Sequence, residues 1–262
     1  MQKVSYFNVC KNLIEMDLII FKQLFLDKFI DLSIWVVLTT IVIAYIMPYF
    51  GLAANFGVFQ LGGLIAATGL LEMGNSNAVE LVSDFEGDRV ISFNFTLPIP
   101  SWLALVSKAG YYFMVYTILS LLMLPIGKLC LWNQFDLASI HYPKFIMAIF
   151  AINLFYASFA LWMASIVPNI NKMGQVWMRF IFPLWFLGGF QFSWMASYKM
   201  IPSFAMVNLI NPMIYTTEAV RVALLGQEGF INFWLCLLAI LFFATISLYF
   251  GITNLRKRLD FI

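Results

Sequence analysis

Glu218 and Arg221 are charges set in an aromatic and Met-rich stretch, Gln191 to Gln227, whose one other charge is Lys199. Three residues apart, they can share a helix face. Two readings follow: a local ion pair at a membrane boundary, or groups that line or gate a pathway, since ionisable residues held inside a membrane are functional by default. A second concentration of chemistry lies in Glu80, Asp84, Glu86, Asp88 and Arg89. Beyond it Ile91, Phe93, Phe95 and Leu97 alternate with Ser92, Asn94 and Thr96, and the stretch ends in Pro98-Ile99-Pro100. Period-two alternation is not the pattern of a membrane helix. Charge, aromatic rings and a rigid Pro-x-Pro turn in one segment predict a docking platform more than a plain solvated connector.

Other chemistries lack their residues. His141 is the only histidine, so a two-His zinc site is impossible, and beside Tyr142 and Pro143 it reads as an interfacial residue. No nucleophile elbow and no G-x-x-x-x-G-K-[ST] occurs, so this chain cannot cradle a nucleotide in the P-loop manner. Cys10, Cys130 and Cys236 form no C-x-x-C pair and read as apolar fillers. Two alternatives stay open: a membrane-embedded transferase or hydrolase acting on a lipid-linked substrate through Glu218, Arg221 or the Glu80 to Asp88 carboxylates, and a non-catalytic membrane assembly subunit.

The elements that position these groups are set by composition. The 262 residues are 63% hydrophobic and 11% charged, against roughly 45–50% and ~25% in soluble domains, and mean hydropathy is +0.90. That is a membrane protein. The 15 basic and 13 acidic residues are scattered, so no stripe exists to neutralise phosphates, and nucleic acid is excluded as a partner. The N-terminal residues mix charge into the apolar pattern without a cleavage site, which predicts that no signal peptide is removed.

A crossing helix needs about 20 mainly apolar residues. Leu32 to Leu71 runs 40 residues without a charge and holds two crossings, with Pro48 and Gly51 in the turn. Ala109 to Gly127, Phe145 to Asn171, Phe180 to Tyr198 and Gly229 to Leu255 each supply one more. Met200 to Thr217, broken by Pro202, Asn208, Asn211 and Pro212, predicts a re-entrant element. With six spans and the N-terminus inside, eleven of the fifteen basic residues fall on the cytoplasmic side, as the positive-inside rule requires. Asn8, Lys11, Asn12, Glu15 and Lys22 recur opposite Phe7, Cys10, Ile14, Phe21 and Phe25, predicting an interfacial helix over residues 1–28 ahead of a six-span domain over 29–262. In span two, Gly62 with Ala66 and Gly63 with Ala67 are small-x-x-x-small pairs that permit close helix contact. The expected fold is an all-α integral membrane protein: six transmembrane helices, an N-terminal interfacial helix, a cytoplasmic coupling segment between spans 2 and 3, and a re-entrant element before span 6.

This layout, together with two strings, resembles the membrane-spanning permease subunit of an ABC-2 type ABC transporter. LINPMIYTTEAVRVALLG, Leu209 to Gly226, is similar to the family's signature region, and DFEGDRVISFNFTLPIPSWLALVSKAG, Asp84 to Gly110, to its coupling region. The resemblance implies an exporter in the bacterial inner membrane with both termini cytoplasmic, built as a homodimer or with a similar permease subunit in membrane lipid. It implies no cofactor on this chain, with ATP and Mg held by a separate ABC ATPase subunit. By the same resemblance Asp84, Phe85, Glu86, Arg89, Pro98 and Pro100 would meet the ATPase, and Asn211, Pro212, Tyr215, Glu218 and Arg221 would form a re-entrant gate.

Overall fold

The computed structural model describes residues 6–53, 55–86 and 100–259, and no strand occurs among them. Helix α1, Tyr6–Ile41, buries Phe21, Leu32 and Val36 against the bundle and turns Ile34 and Leu38 outward. It continues through a π-turn, Val42–Ile46, and a 3-10 turn, Met47–Phe50. The widening precedes Pro48, whose missing N–H cannot bond back to the ladder. Gly51, at φ 94°, then reverses the chain in a left-handed conformation that glycine adopts freely.

Helix α2, Phe56–Glu72, is buried on nearly every side and forms the centre of the bundle. It does not end at Glu72: the π-turn Met73–Asn77 leads straight into α3, Ala78–Glu86, with helical backbone at both joints. The result is one continuous rod, about 45 Å long by helical rise. The ring of Trp177 lies on Gly74 at the π-turn, where a β-carbon would come within 1.7 Å of it.

Helix α4, Ser101–Leu131, starts directly after Pro100 and packs along α1 and α2. Helix α5, Tyr142–Ile166, is capped by His141, whose Nδ1 accepts from the Lys144 N–H at 3.4 Å. A broken helical segment follows: the 3-10 turn Ile170–Lys172, α6 at Met173–Val176, the π-turn Trp177–Ile181 and α7 at Phe182–Leu187. Its π-turn again precedes a proline, Pro183. Three short helices come next, α8 at Trp194–Met200, α9 at Pro202–Asn208 and α10 at Pro212–Leu225. The last, α11 at Phe233–Leu259, lies along α5, close enough that a β-carbon on Gly251 would sit 2.9 Å from the Trp162 nitrogen. Arg258 fixes the pair: it donates to the carbonyls of Ala164 (2.9 Å), Val167 (2.8 Å) and Pro168 (3.1 Å) at the end of α5.

Among the described residues, four helical stretches are long and apolar enough to cross a membrane: Tyr6–Phe50, Ser101–Leu131, Tyr142–Ile166 and Phe233–Arg258. The shorter α2 is also apolar. The fold departs from the sequence expectation in three places. The expected fifth crossing, Phe180 to Tyr198, is interrupted after Leu187, because Gly188 and Gly189 turn the chain; the helical segment starts near Ile170 instead. The coupling segment expected between spans 2 and 3 is helical as far as Glu86 and again from Ser101, so charge alone ends neither helix. Of the surface helix expected over residues 1–28, the described part from Tyr6 runs without a break into the first expected span, with Phe21, Phe25 and Phe29 packed inward on the same helix.

Candidate functional site: a coupling end and a latch

Two polar assemblies occupy opposite ends of the α2–α3 rod. At the end bearing the start of α1, Lys108 on α4 reaches Glu80 on α3 at 3.0 Å and Asp17 on α1 at 3.5 Å. Lys28 on α1 pairs with Glu72, which is 4% exposed at the end of α2. The Tyr112 hydroxyl donates to the Asn77 carbonyl at 3.2 Å. Leu81 and Val82 bury α3 against α5. These bonds brace α3, and with it the approach to residues 84–100, against three helices. Lys108→Ala is expected to cost about 1–2 kcal/mol, since it strips two partly screened carboxylates of their partner. It should also raise protease cleavage within residues 6–22 several-fold; unchanged cleavage would mean that Lys108 does not hold α1.

Asp84 is half-buried on α3, Phe85 and Glu86 end that helix, and Pro100 sets the extended residue before α4, with its carbonyl accepting from the Leu103 N–H at 2.9 Å. Arg89 and Pro98 lie outside the described residues.

At the other end, α9 and α10 latch the chain reversal that follows α7. A helix end leaves its last carbonyls without partners, and here asparagines supply them: Asn211 Nδ2 donates to the Leu184 carbonyl at 2.8 Å and Asn208 Nδ2 to that of Leu187 at 2.7 Å. Thr217 donates to the Gly188 carbonyl at 2.9 Å. Arg221, fully buried, donates to the carbonyls of Gly189 (2.5 Å), Phe192 (3.0 Å) and Phe190 (2.8 Å), and across to Phe59 on α2 (3.1 Å). Its guanidinium carbon also stands 3.6 Å from the centre of the Phe59 ring. Glu218, equally buried, accepts from the Trp194 N–H at 3.0 Å and the Ile231 N–H at 2.8 Å. Burying a charge is costly unless its hydrogen-bonding capacity is met; here backbone groups meet it.

The remaining members of the site shape α10 itself. Asn211 Oδ1 caps the helix by accepting from the Met213 N–H at 3.0 Å, Pro212 occupies the first turn, and the Tyr215 hydroxyl donates to the Leu209 carbonyl at 2.8 Å. Gly62 and Gly63 make the room: a β-carbon would lie 2.9 Å from Arg221 Cγ at the first and 3.0 Å from Arg221 Nη2 at the second. Their smallness serves the arginine as much as helix packing.

All five expected gate residues thus stand together. The ion-pair reading of Glu218 and Arg221 is corrected: among the described residues the ion pairs are Lys11–Glu15, Lys28–Glu72, Lys108–Asp17 and Lys108–Glu80, and each latch charge is spent on backbone instead. Sequence reasoning missed Asn208 and Thr217, and it missed the Lys28–Glu72 pair. The legible signal was Gly188-Gly189, a helix-ending pair whose carbonyls need partners. Nothing at the latch assembles a nucleophile with a base, since the hydroxyls of Tyr215, Thr216 and Thr217 donate to carbonyls. No group of His, Cys, Asp and Glu among the described residues could hold a metal ion.

An apolar bundle, helical throughout its described residues and with its buried charges Glu72, Glu218 and Arg221 met internally, is an integral membrane protein. Residues 20–225 match the family ABC-2 type transporter, and the chain belongs to that family as a permease subunit, the transport component. No curated protein matches the chain.

Proposed function

We propose that the chain is the permease of an ATP-driven exporter, with six crossings and both termini on the cytoplasmic side of a bacterial inner membrane. The fifth crossing is the broken segment from Ile170 to Leu187, and α2 with its continuation is the second. Two permease subunits, identical or similar, associate, and two copies of a separate ATPase carrying ATP and Mg dock at Asp84, Phe85, Glu86, Arg89, Pro98 and Pro100. Asn211, Pro212, Tyr215, Glu218 and Arg221 form the outer gate.

One observation carries this reading: the rod from Phe56 to Glu86 ends at the coupling segment on one side and holds Arg221 through Phe59 on the other. Movement imposed on α3 by the ATPase reaches the latch through a single helix. ATP biases the permease because the ATPase pair, open or closed, contacts its two states unequally.

The test is nucleotide-dependent exposure at the latch. With Cys10, Cys130 and Cys236 replaced, Gln191→Cys places a thiol on the exposed turn beside Arg221's carbonyl partners. In membranes that hold the chain and its ATPase, Mg-ATP is expected to change labelling by an impermeant maleimide several-fold. Equal rates with and without ATP would sink the coupling.

A further inference from the structure

A groove of about 420 Å³ opens between the α6–α7 segment and α9. Its walls are apolar, with Pro183 and Leu187 on one side and Phe204 and Val207 on the other. Its three polar lining residues are Asn208, Asn211 and Arg179. The two asparagine amides are spent on the carbonyls of Leu187 and Leu184. Arg179 is exposed to the groove and has no hydrogen bond, ion pair or ring contact among the described residues. It is also the only charged residue in the lining.

This inference rests on the reading of Ile170 to Leu187 as the fifth crossing. Arg179 is seven residues past Lys172, about 10 Å by helical rise, so the crossing carries it into the membrane. An arginine at such depth is costly without a counter-charge, and the protein supplies none among the described residues. The guanidinium fork matches phosphate oxygens and can bind two at once. The rim of the groove is open: Phe180, Val207 and Ile210 are 62%, 68% and 76% exposed. The groove therefore opens outward from the chain and is accessible to a ligand from outside the helix bundle. No acidic residue lines the groove to receive a choline or ethanolamine head group, so net negative lipids are favoured.

We propose that this groove binds an anionic phospholipid, with the phosphate on Arg179 and an acyl chain along the Pro183, Leu187, Phe204 and Val207 walls. The lipid supplies the missing counter-charge and seats the α6–α7 segment against the re-entrant helices.

The experiment is native mass spectrometry of the purified chain, released from nanodiscs of phosphatidylcholine with a minor share of phosphatidylglycerol. The wild type is expected to retain phosphatidylglycerol several-fold above its share in the disc. Arg179→Gln should reduce that enrichment to the bulk ratio, Arg179→Lys should keep part of it, and Val207→Trp, which fills the groove and keeps the arginine, should lower it too. Melting of each variant controls for folding. Equal enrichment in wild type and Arg179→Gln would overturn the proposal. So would a loss of dimer mass in Arg179→Gln at unchanged lipid retention, which would give Arg179 to a second copy of the chain. Capture of the ATPase by the same samples separates the two claims: Arg179-dependent enrichment without capture leaves the lipid site standing and removes the exporter reading, while capture without enrichment does the reverse.

Discussion

Arg221→Ala is expected to cost about 4 kcal/mol, a large fraction of the stability of an ordinary domain. The side chain donates four hydrogen bonds to carbonyls of Phe59, Gly189, Phe190 and Phe192. Hydrogen bonds to charged groups are each worth about 1.5–3 kcal/mol, and carbonyls left unpaired in a buried site add desolvation cost. The truncated arginine also leaves a cavity between Gly62 and the Phe59 ring. Arg221→Lys should recover little, because one ammonium cannot span four carbonyls on two sides. Equilibrium unfolding in mixed micelles measures both. A loss below about 1 kcal/mol for Arg221→Ala would mean that the latch is not held by this residue.

Glu218→Gln is the second large effect, expected near 2–3 kcal/mol. Each carboxylate oxygen accepts one backbone N–H, from Trp194 and from Ile231. Glutamine keeps one acceptor and turns its NH2 toward the other donor, leaving a buried N–H unpaired. The bonds of Arg221 do not involve Glu218, so they survive the change. If the two residues stabilised each other chiefly as an ion pair, Glu218→Gln would strand a buried guanidinium and cost as much as Arg221→Ala. The same unfolding measurement distinguishes the cases: a smaller loss for Glu218→Gln supports separate backbone roles, and equal losses contradict them.

The sequence was most legible where one residue type has one use. Charge-free length located α1, α4, α5 and α11, and Pro48 with Gly51 located the first reversal. The grouping of Asn211, Pro212, Tyr215, Glu218 and Arg221 came from the resemblance of one string, Leu209 to Gly226, to a family signature. Legibility failed where backbone sets the outcome. Hydropathy runs smoothly through Gly188-Gly189, so a single crossing was drawn over a chain reversal. Charges at Glu80 and Asp84 suggest a loop, yet both stand on a helix whose Leu81 and Val82 are buried. The partners of Glu218 and Arg221 are main-chain N–H and C=O groups, which carry no signature in the amino-acid types. Asn208 and Thr217 act on such groups too, so nothing in their identities announced them.

The most direct measurement is whether the chain captures its ATPase. Co-expressed with a candidate ABC ATPase subunit and purified through a tag on the permease, the wild type is expected to bring the ATPase with it. Glu86→Ala combined with Arg89→Ala should lower recovery about tenfold, equivalent to about 1.4 kcal/mol of binding, while melting stays unchanged. A wild-type chain that captures no ATPase would contradict the account, and a double variant that captures it undiminished would contradict the coupling surface.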